Sequence, residues 1–268
     1  MSRFDKRWFF IDNTGYRVNV LANILDEFGS ALMLLWRSIC HLPYLPRQFA
    51  RFFDNAYHIG YTTLPIVGIL SAFIGAVLAL QAGYSIGKVP GAQNYLGSIV
   101  GLSMCRELGP VMTAFLLAGR VGSAITAELA SMTVYQEIDA LKTMNISPER
   151  LLVMPRLVAI AVMMPVLTIF SIVIGWYGGM IVVKYVSFIA LDPQIYWRSL
   201  KDFVDTASLT DGLLKAEVFG IAVTLICCNV GLRTKGGPRE IGFAVTKGVV
   251  ISMIFVLLLD YFVTKILI

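Results

Sequence analysis

LGPVMTAFLLAGRVGSAITAELASM, Leu108 to Met132, is the stretch on which the fold turns. It is long enough to cross a bilayer, which takes about 20 mainly apolar residues in an α-helix. Arg120 and Glu128 are its only ionisable side chains. Its small residues recur with a helical period: Ala114, Ala118, Gly122, Thr126 and Ala130 fall every fourth position, and Gly119, Ser123, Ala127 and Ser131 make a second row beside them. Lipid tails are as apolar as leucine, so helices associate in a membrane where small residues let their backbones approach. Two such rows on one helix predict that it is wedged between others at the centre of a bundle.

Four further runs of the same kind surround it: Tyr61 to Tyr84, Leu157 to Val183, Leu213 to Leu232 and Val245 to Ile266. Of 268 residues, 57% are hydrophobic and 15% charged, and the mean hydropathy is +0.75, well above that of a water-soluble domain. The alternation of apolar and polar residues over about 10 positions that marks a membrane β-barrel is absent. The expected fold is therefore an all-α integral membrane protein with five transmembrane helices. Gly75, Ala79 and Gly83 in the first span, and Gly175 and Gly179 in the third, repeat the small-residue spacing.

Residues 1–30 mix acidic and basic side chains and form no apolar h-region, so no cleavable signal peptide is expected. ALMLLWRSICHL, Ala31 to Leu42, is too short to span and reads as an interfacial helix, followed by Pro43, Pro46 and the basic segment Arg47 to Arg51. Fourteen Lys and Arg fall in the N-terminal segment and in the second and fourth loops. Six fall on the opposite side: Lys88, Lys184, Arg198, Lys201, Lys215 and Lys265. This bias puts the N-terminus in the cytoplasm and the C-terminus outside. The net charge of +5 is explained by basic segments meeting anionic lipid headgroups and calls for no nucleic acid. Cys40, Cys105, Cys227 and Cys228 form no CxxC pair and read as small hydrophobes. With only the isolated His41 and His58, neither a metal site nor any other cofactor is implied.

Charges inside spans are costly and mark either structure or function. Arg106 and Glu107 stand where the second span begins, Arg120 near its middle, Glu128 two turns further, and Asp260 in the last span. Arg120 and Glu128 are separated by about 12 Å of helix rise and do not pair along one helix. The structural reading has Arg120 satisfying backbone carbonyls, or Glu128 of a neighbouring helix, and holding the bundle together. The rival reading is an ion-coupled secondary transporter that uses Arg120, Glu128 and Asp260 as its path, but such a protein should show repeated halves, and no repeat is visible. An intramembrane enzyme would need a nucleophile with a base, or a metal pair, and neither His lies in a span. Arg106 and Glu107, next to Gly109 and Pro110 and opposite Gln81 and Tyr84, fit either a salt-bridged helix start or the polar mouth of an apolar cavity for an amphipathic ligand.

Between the second and third spans runs VYQEIDALKTMNISPERLLVMPR, Val134 to Arg156. Val134, Ile138, Leu141 and Met144 share one helical face, which predicts an amphipathic helix of about three turns. Asn145 suits the left-handed residue that ends it. Ser147 then caps a new helix with Pro148 at its first position and Glu149 in its first turn. The apolar ridge must be covered by the membrane surface or by a groove in a soluble partner, and Glu137 and Asp139 favour the partner.

At these residues the chain resembles a known family. RELGPVMTAFLLAGRVGSAITAELASM (106–132) and EIDALKTMNISPERLLVMPRL (137–157) are similar to the MlaE/YrbE permeases, the membrane subunits of ABC lipid transporters that work with MCE proteins. So are LALQAGY (78–84), GGPREIGFAVTKGVV (236–250) and LLLDYFVT (257–264). The resemblance runs from Ala31 to the end, giving a permease domain over 31–268 behind a cytoplasmic extension over 1–30. It implies a homodimer in the bacterial inner membrane, two copies of a separate ATPase, a ring of MCE-domain subunits on the periplasmic side, and phospholipid or a similar lipid as cargo. A small cytoplasmic accessory subunit is a further expected partner. By motif match the lipid pocket would include Leu80, Tyr84, Arg106 and Glu107. The coupling helix would present Val134, Glu137, Ile138, Leu141 and Met144, with Glu137 at the glutamate of EAA-type transporter loops. The chain is expected to be no enzyme, since it lacks GxxxxGK[ST] and hydrolysis must occur elsewhere. Two departures stand out: Asn145 replaces a glycine, and the additional Ala82 in LQAGY would rotate Tyr84 by about 100° on a continuing helix.

Overall fold

The computed structural model describes residues 29–30, 33–38, 48–87, 92–186, 189 and 191–267. Among the described residues five helical segments are long and apolar enough to cross a membrane: Phe49–Ile86, Ala92–Val134, Glu149–Tyr185, Thr206–Leu232 and Pro238–Leu267. All five expected spans are present, and most run beyond their apolar cores. The first, α1 (Phe49–Ile86), has 38 residues, about 57 Å of helix against a hydrocarbon core of about 30 Å. Its first turns, before Tyr61, therefore stand at or beyond the membrane boundary.

The second span starts earlier than the expected Leu108. A 3₁₀ turn (Ala92–Tyr95) leads into α2 (Leu96–Ser103), a π-helical turn π1 (Met104–Leu108), α3 (Gly109–Leu116), a second π-helical turn π2 (Leu117–Gly122) and α4 (Ser123–Val134). Arg106 and Glu107 thus lie inside a continuous helix and do not begin it. After α5 (Glu137–Thr143), the third span consists of a π-turn, π3 (Glu149–Val153), and α6 (Met154–Tyr185). The chain then forms α7 (Pro193–Phe203), α8 (Thr206–Leu232) and α9 (Pro238–Leu267).

Small residues set the packing. The buried row Val67, Ser71, Gly75, Ala79 and Gly83 turns one face of α1 onto α6. The two backbones approach so closely that a Cβ on Gly75 would overlap the carbonyl of Gly175, and one on Gly178 would overlap the carbonyl of Ala72. Ser71 and Ser171 hydrogen-bond across the same seam at 2.7 Å. Gly75→Val should separate these helices and cost about 3 kcal/mol; thermal unfolding in detergent within 0.5 kcal/mol of the unmodified chain would contradict this packing.

α8 is the most enclosed span and contacts the second, third and fifth. The row Ala114, Ala118, Gly122, Thr126 and Ala130 is buried as expected. Part of it faces α8, where Thr126 Oγ1 donates to the Cys227 carbonyl at 3.2 Å. The second row is a correction: Gly119 is exposed, and Ser123, Ala127 and Ser131 are only half-buried. The helix is therefore enclosed on one row and open along the other. Cys105, Cys227 and Cys228 are free and buried, as small hydrophobes would be.

α7, to which the sequence reading gave no element, closes the bundle at the end away from α5. Asp192 caps it by accepting from the Gln194 N–H at 2.8 Å, with Pro193 at its first position. It packs on α2, where Ser199 Oγ accepts from the Ser98 N–H at 3.2 Å. Tyr196 is fully buried and donates to the Trp176 carbonyl at 3.2 Å; burial holds its phenol well above the ordinary tyrosine range. Of the expected interfacial helix Ala31 to Leu42, residues 33–38 are helical. The rest of it, like residues 1–28 with the N-terminal extension, lies outside the described residues.

Candidate functional site

Two groups of side chains stand out, one toward each end of the bundle. The first is built on π1. In a π-turn each N–H reaches the carbonyl five residues back, which widens the helix and recurs at functional positions; here the Gly109 N–H bonds the Met104 carbonyl. α8 approaches this turn so closely that a Cβ on Gly212 would overlap the carbonyl of Cys105. Ser208 and Lys215, one turn either side of Gly212, are thereby brought against Arg106 and Glu107. Arg106 donates to Ser208 Oγ through Nε at 3.1 Å and Nη2 at 3.0 Å.

Lys215 is the residue that sequence reasoning misplaced. It counts among the outer loop charges there, yet it sits inside α8 at 3% exposure. Its three donors have three acceptors: Glu107 Oε1 at 2.7 Å, the Arg106 carbonyl at 3.0 Å and Asp260 Oδ1 at 3.3 Å. Thr264, one turn beyond Asp260 on α9, donates to Glu107 Oε1 at 3.5 Å. Asp260, expected to interrupt the last span, instead joins α9 to α8 and π1 as part of a charge-balanced cluster. A lysine near a predicted span edge, three residues from a glycine and in a chain with an unexplained Asp260, was the available signal.

Leu80 and Tyr84 belong to the exposed stripe of α1 that also carries Phe73 and Val77, on the face opposite the row packed on α6. Arg106 is exposed and Glu107 half-exposed. All four expected pocket residues therefore sit on surfaces that a single subunit leaves partly open.

The second group surrounds α5. The predicted continuous helix Val134 to Met144 is corrected. α4 ends at Val134, Tyr135 and Gln136 form a turn, and α5 spans only Glu137–Thr143. Gln136 takes φ 62°, a conformation that side chains with a Cβ adopt at a cost. The turn rotates α5 relative to α4, so the expected ridge does not exist as one face. Ile138 is directed into the subunit at 3% exposure, Val134 and Leu141 are half-buried, and Glu137 is exposed. Met144 is 61% exposed, and Tyr135 before α5 and Ile146 after it are exposed apolar side chains as well. Asn145 adopts φ 59°, the left-handed conformation expected of it. The next helix begins at Pro148, as its sequence predicts. Arg37 of the 33–38 stretch pairs with Glu149 at 3.2 Å and ties that stretch to the corner.

Arg120 and Glu128 meet Glu137 and Leu141 in a cavity of about 880 Å³ between α1, α4, α5 and the start of the third span. Arg120 donates to the Thr62 carbonyl, and Glu128 pairs with Arg156 at 2.5 Å. Asp260 is not with them. Glu107, which shares Lys215 with it, lies 13 residues before Arg120, about 20 Å along the helix, so the three charges do not line one path.

The Permease MlaE family profile matches residues 52–266 of the chain. The chain belongs to the MlaE permease family. An intermembrane phospholipid transport system permease protein MlaE of Haemophilus influenzae is 35% identical to it over 248 residues, covering 91% of this chain and 94% of that protein. A probable ABC transporter permease protein of Rickettsia typhi is 38% identical over 209 residues, 78% of this chain and 80% of that one. A similarly named protein of Synechocystis is 34% identical over 206 residues, 77% of each chain. As an MlaE-family permease the chain is a membrane transport subunit and not an enzyme.

Proposed function

We propose that this MlaE-family chain is the permease of an ABC transporter that moves phospholipid between the bacterial inner membrane and a periplasmic MCE-protein channel. The observation that carries the lipid reading is the open cluster on π1. Arg106 and Glu107 are anchored by Ser208 and Lys215 yet remain partly exposed. An amphipathic ligand needs such a polar anchor for its headgroup, with apolar surface for its chains. The exposed α1 stripe of Phe73, Val77, Leu80 and Tyr84 supplies that surface when two subunits face each other as a homodimer.

Two ATPase subunits drive the movement from the cytoplasm by gripping the corner at Tyr135, Met144 and Ile146; the ring of MCE subunits docks at the α7 end. The Lys and Arg bias supports this orientation, with the N-terminus inside and the C-terminus outside. Residues 31–268 form the permease domain, and residues 1–30 are an extension suited to a further cytoplasmic contact with the ATPase or an accessory subunit. Arg106→Ala together with Glu107→Ala should lower phospholipid co-purifying with the intact complex about fivefold. Unchanged lipid by mass spectrometry would count against the pocket.

A further inference from the structure

The cavity beside α5 is lined by two helix faces with a shared polarity. α1 contributes Arg51, Asp54, Asn55, His58 and Thr62, spaced as one helical stripe. π2 and α4 contribute Arg120, Ala124 and Glu128 at the same spacing, and Arg156 and Glu137 also line it. The ionisable part of the α1 stripe ends at His58, before the apolar run that begins at Tyr61, so the cavity reaches the level where a bilayer's headgroups meet its hydrocarbon core. Ile125, Leu151 and Leu152 supply apolar wall.

The charges are informative. Among the described residues three arginines and three carboxylates line the space, a balance that suits a zwitterion and disfavours a simple anion. Arg156 is buried at 5% exposure; its Nη2 pairs with Glu128, while its Nη1 makes no hydrogen bond among the described residues. A buried guanidinium donor without an acceptor costs free energy, and a phosphate oxygen is its best partner. Carboxylates accept hydrogen bonds from a primary ammonium, whereas a quaternary ammonium is recognised by aromatic cages. Among the described residues no Phe, Tyr or Trp lines the cavity.

We infer that this cavity is a second lipid site, which takes the phosphoethanolamine headgroup of a phospholipid from the leaflet on the α5 side. The phosphate sits against the open Nη1 of Arg156, and the ammonium faces the carboxylates of the lining, Asp54, Glu128 and Glu137. Because Glu137 and Leu141 of α5 form part of the wall, movement of the corner changes the site directly. The inference rests on the lipid-permease reading and adds a port to it.

The test places photoreactive benzoylphenylalanine at Ala124 and, separately, at Leu151, in the intact transporter within nanodiscs. The nanodiscs hold equal phosphatidylethanolamine, phosphatidylglycerol and phosphatidylcholine. Lipid adducts favouring phosphatidylethanolamine by about tenfold are expected, with Asp54→Asn narrowing the preference over phosphatidylglycerol. Absence of lipid adducts at both positions, adducts to the ATPase or to a second copy of the chain, or equal capture of the three headgroups would overturn it. The same probe at Leu80 separates the two claims. Lipid captured at Leu80 but at neither inner position overturns the second site alone, and capture at none of the three overturns the lipid reading as well.

Discussion

Lys215→Met is expected to destabilise the protein by about 3 kcal/mol and to abolish the lipid that co-purifies with it. The lysine is buried, and each of its donors is used: Glu107, Asp260 and the Arg106 carbonyl. Methionine keeps the length and apolar stem of the side chain but leaves two carboxylates facing one another without their counter-charge. Breaking a buried ion pair from one side is far more costly than replacing the whole set. Adding Glu107→Gln and Asp260→Asn to Lys215→Met should therefore restore most of the stability without restoring the lipid. Thermal unfolding of the single and triple variants checks this, and a single variant within 0.5 kcal/mol of the unmodified chain would show that the cluster does not hold α8 to π1 and α9.

The second large effect is expected at the corner. Met144→Glu should weaken association with the ATPase about 30-fold while leaving the bundle folded, since a central apolar contact of an interface is worth about 2 kcal/mol or more. Ile138→Glu should behave differently. Ile138 is buried within the subunit, so its substitution should unfold the corner before it affects any partner. Co-purification measured beside thermal stability separates the two. Loss of the partner with Ile138→Glu at full stability, and its retention with Met144→Glu, would reverse the assignment of inward and outward faces.

The spans were legible because bilayer thickness imposes a length that few other constraints share. Small residues at spacing four marked the row Ala114 to Ala130 that packs, but not that the row of Gly119, Ser123, Ala127 and Ser131 beside it stays open. Gly75 and Gly175 do meet, and Ala114 to Ala130 is buried. Asn145 was readable from the residue type that tolerates a left-handed backbone, whereas Gln136 takes the same conformation with no such signal, and its turn redirected Ile138. The π-turns were invisible, since widening a helix by one residue alters no composition, and the helix over Ala92–Ser103 that carries the second span back from Leu108 has no long apolar run to announce it. Lys215 was hidden by an ordinary ambiguity of span edges, so the partner that explains both Glu107 and Asp260 emerged only from the packing of α8.

The central claim, phospholipid movement driven by a separate ATPase, is tested most directly in proteoliposomes that hold the chain with its ATPase and a fluorescent phospholipid. ATP-dependent movement of the labelled lipid, lost with Met144→Glu and with Arg106→Ala plus Glu107→Ala, is the predicted result. Transport that proceeds without ATP and follows an imposed ion gradient would contradict it.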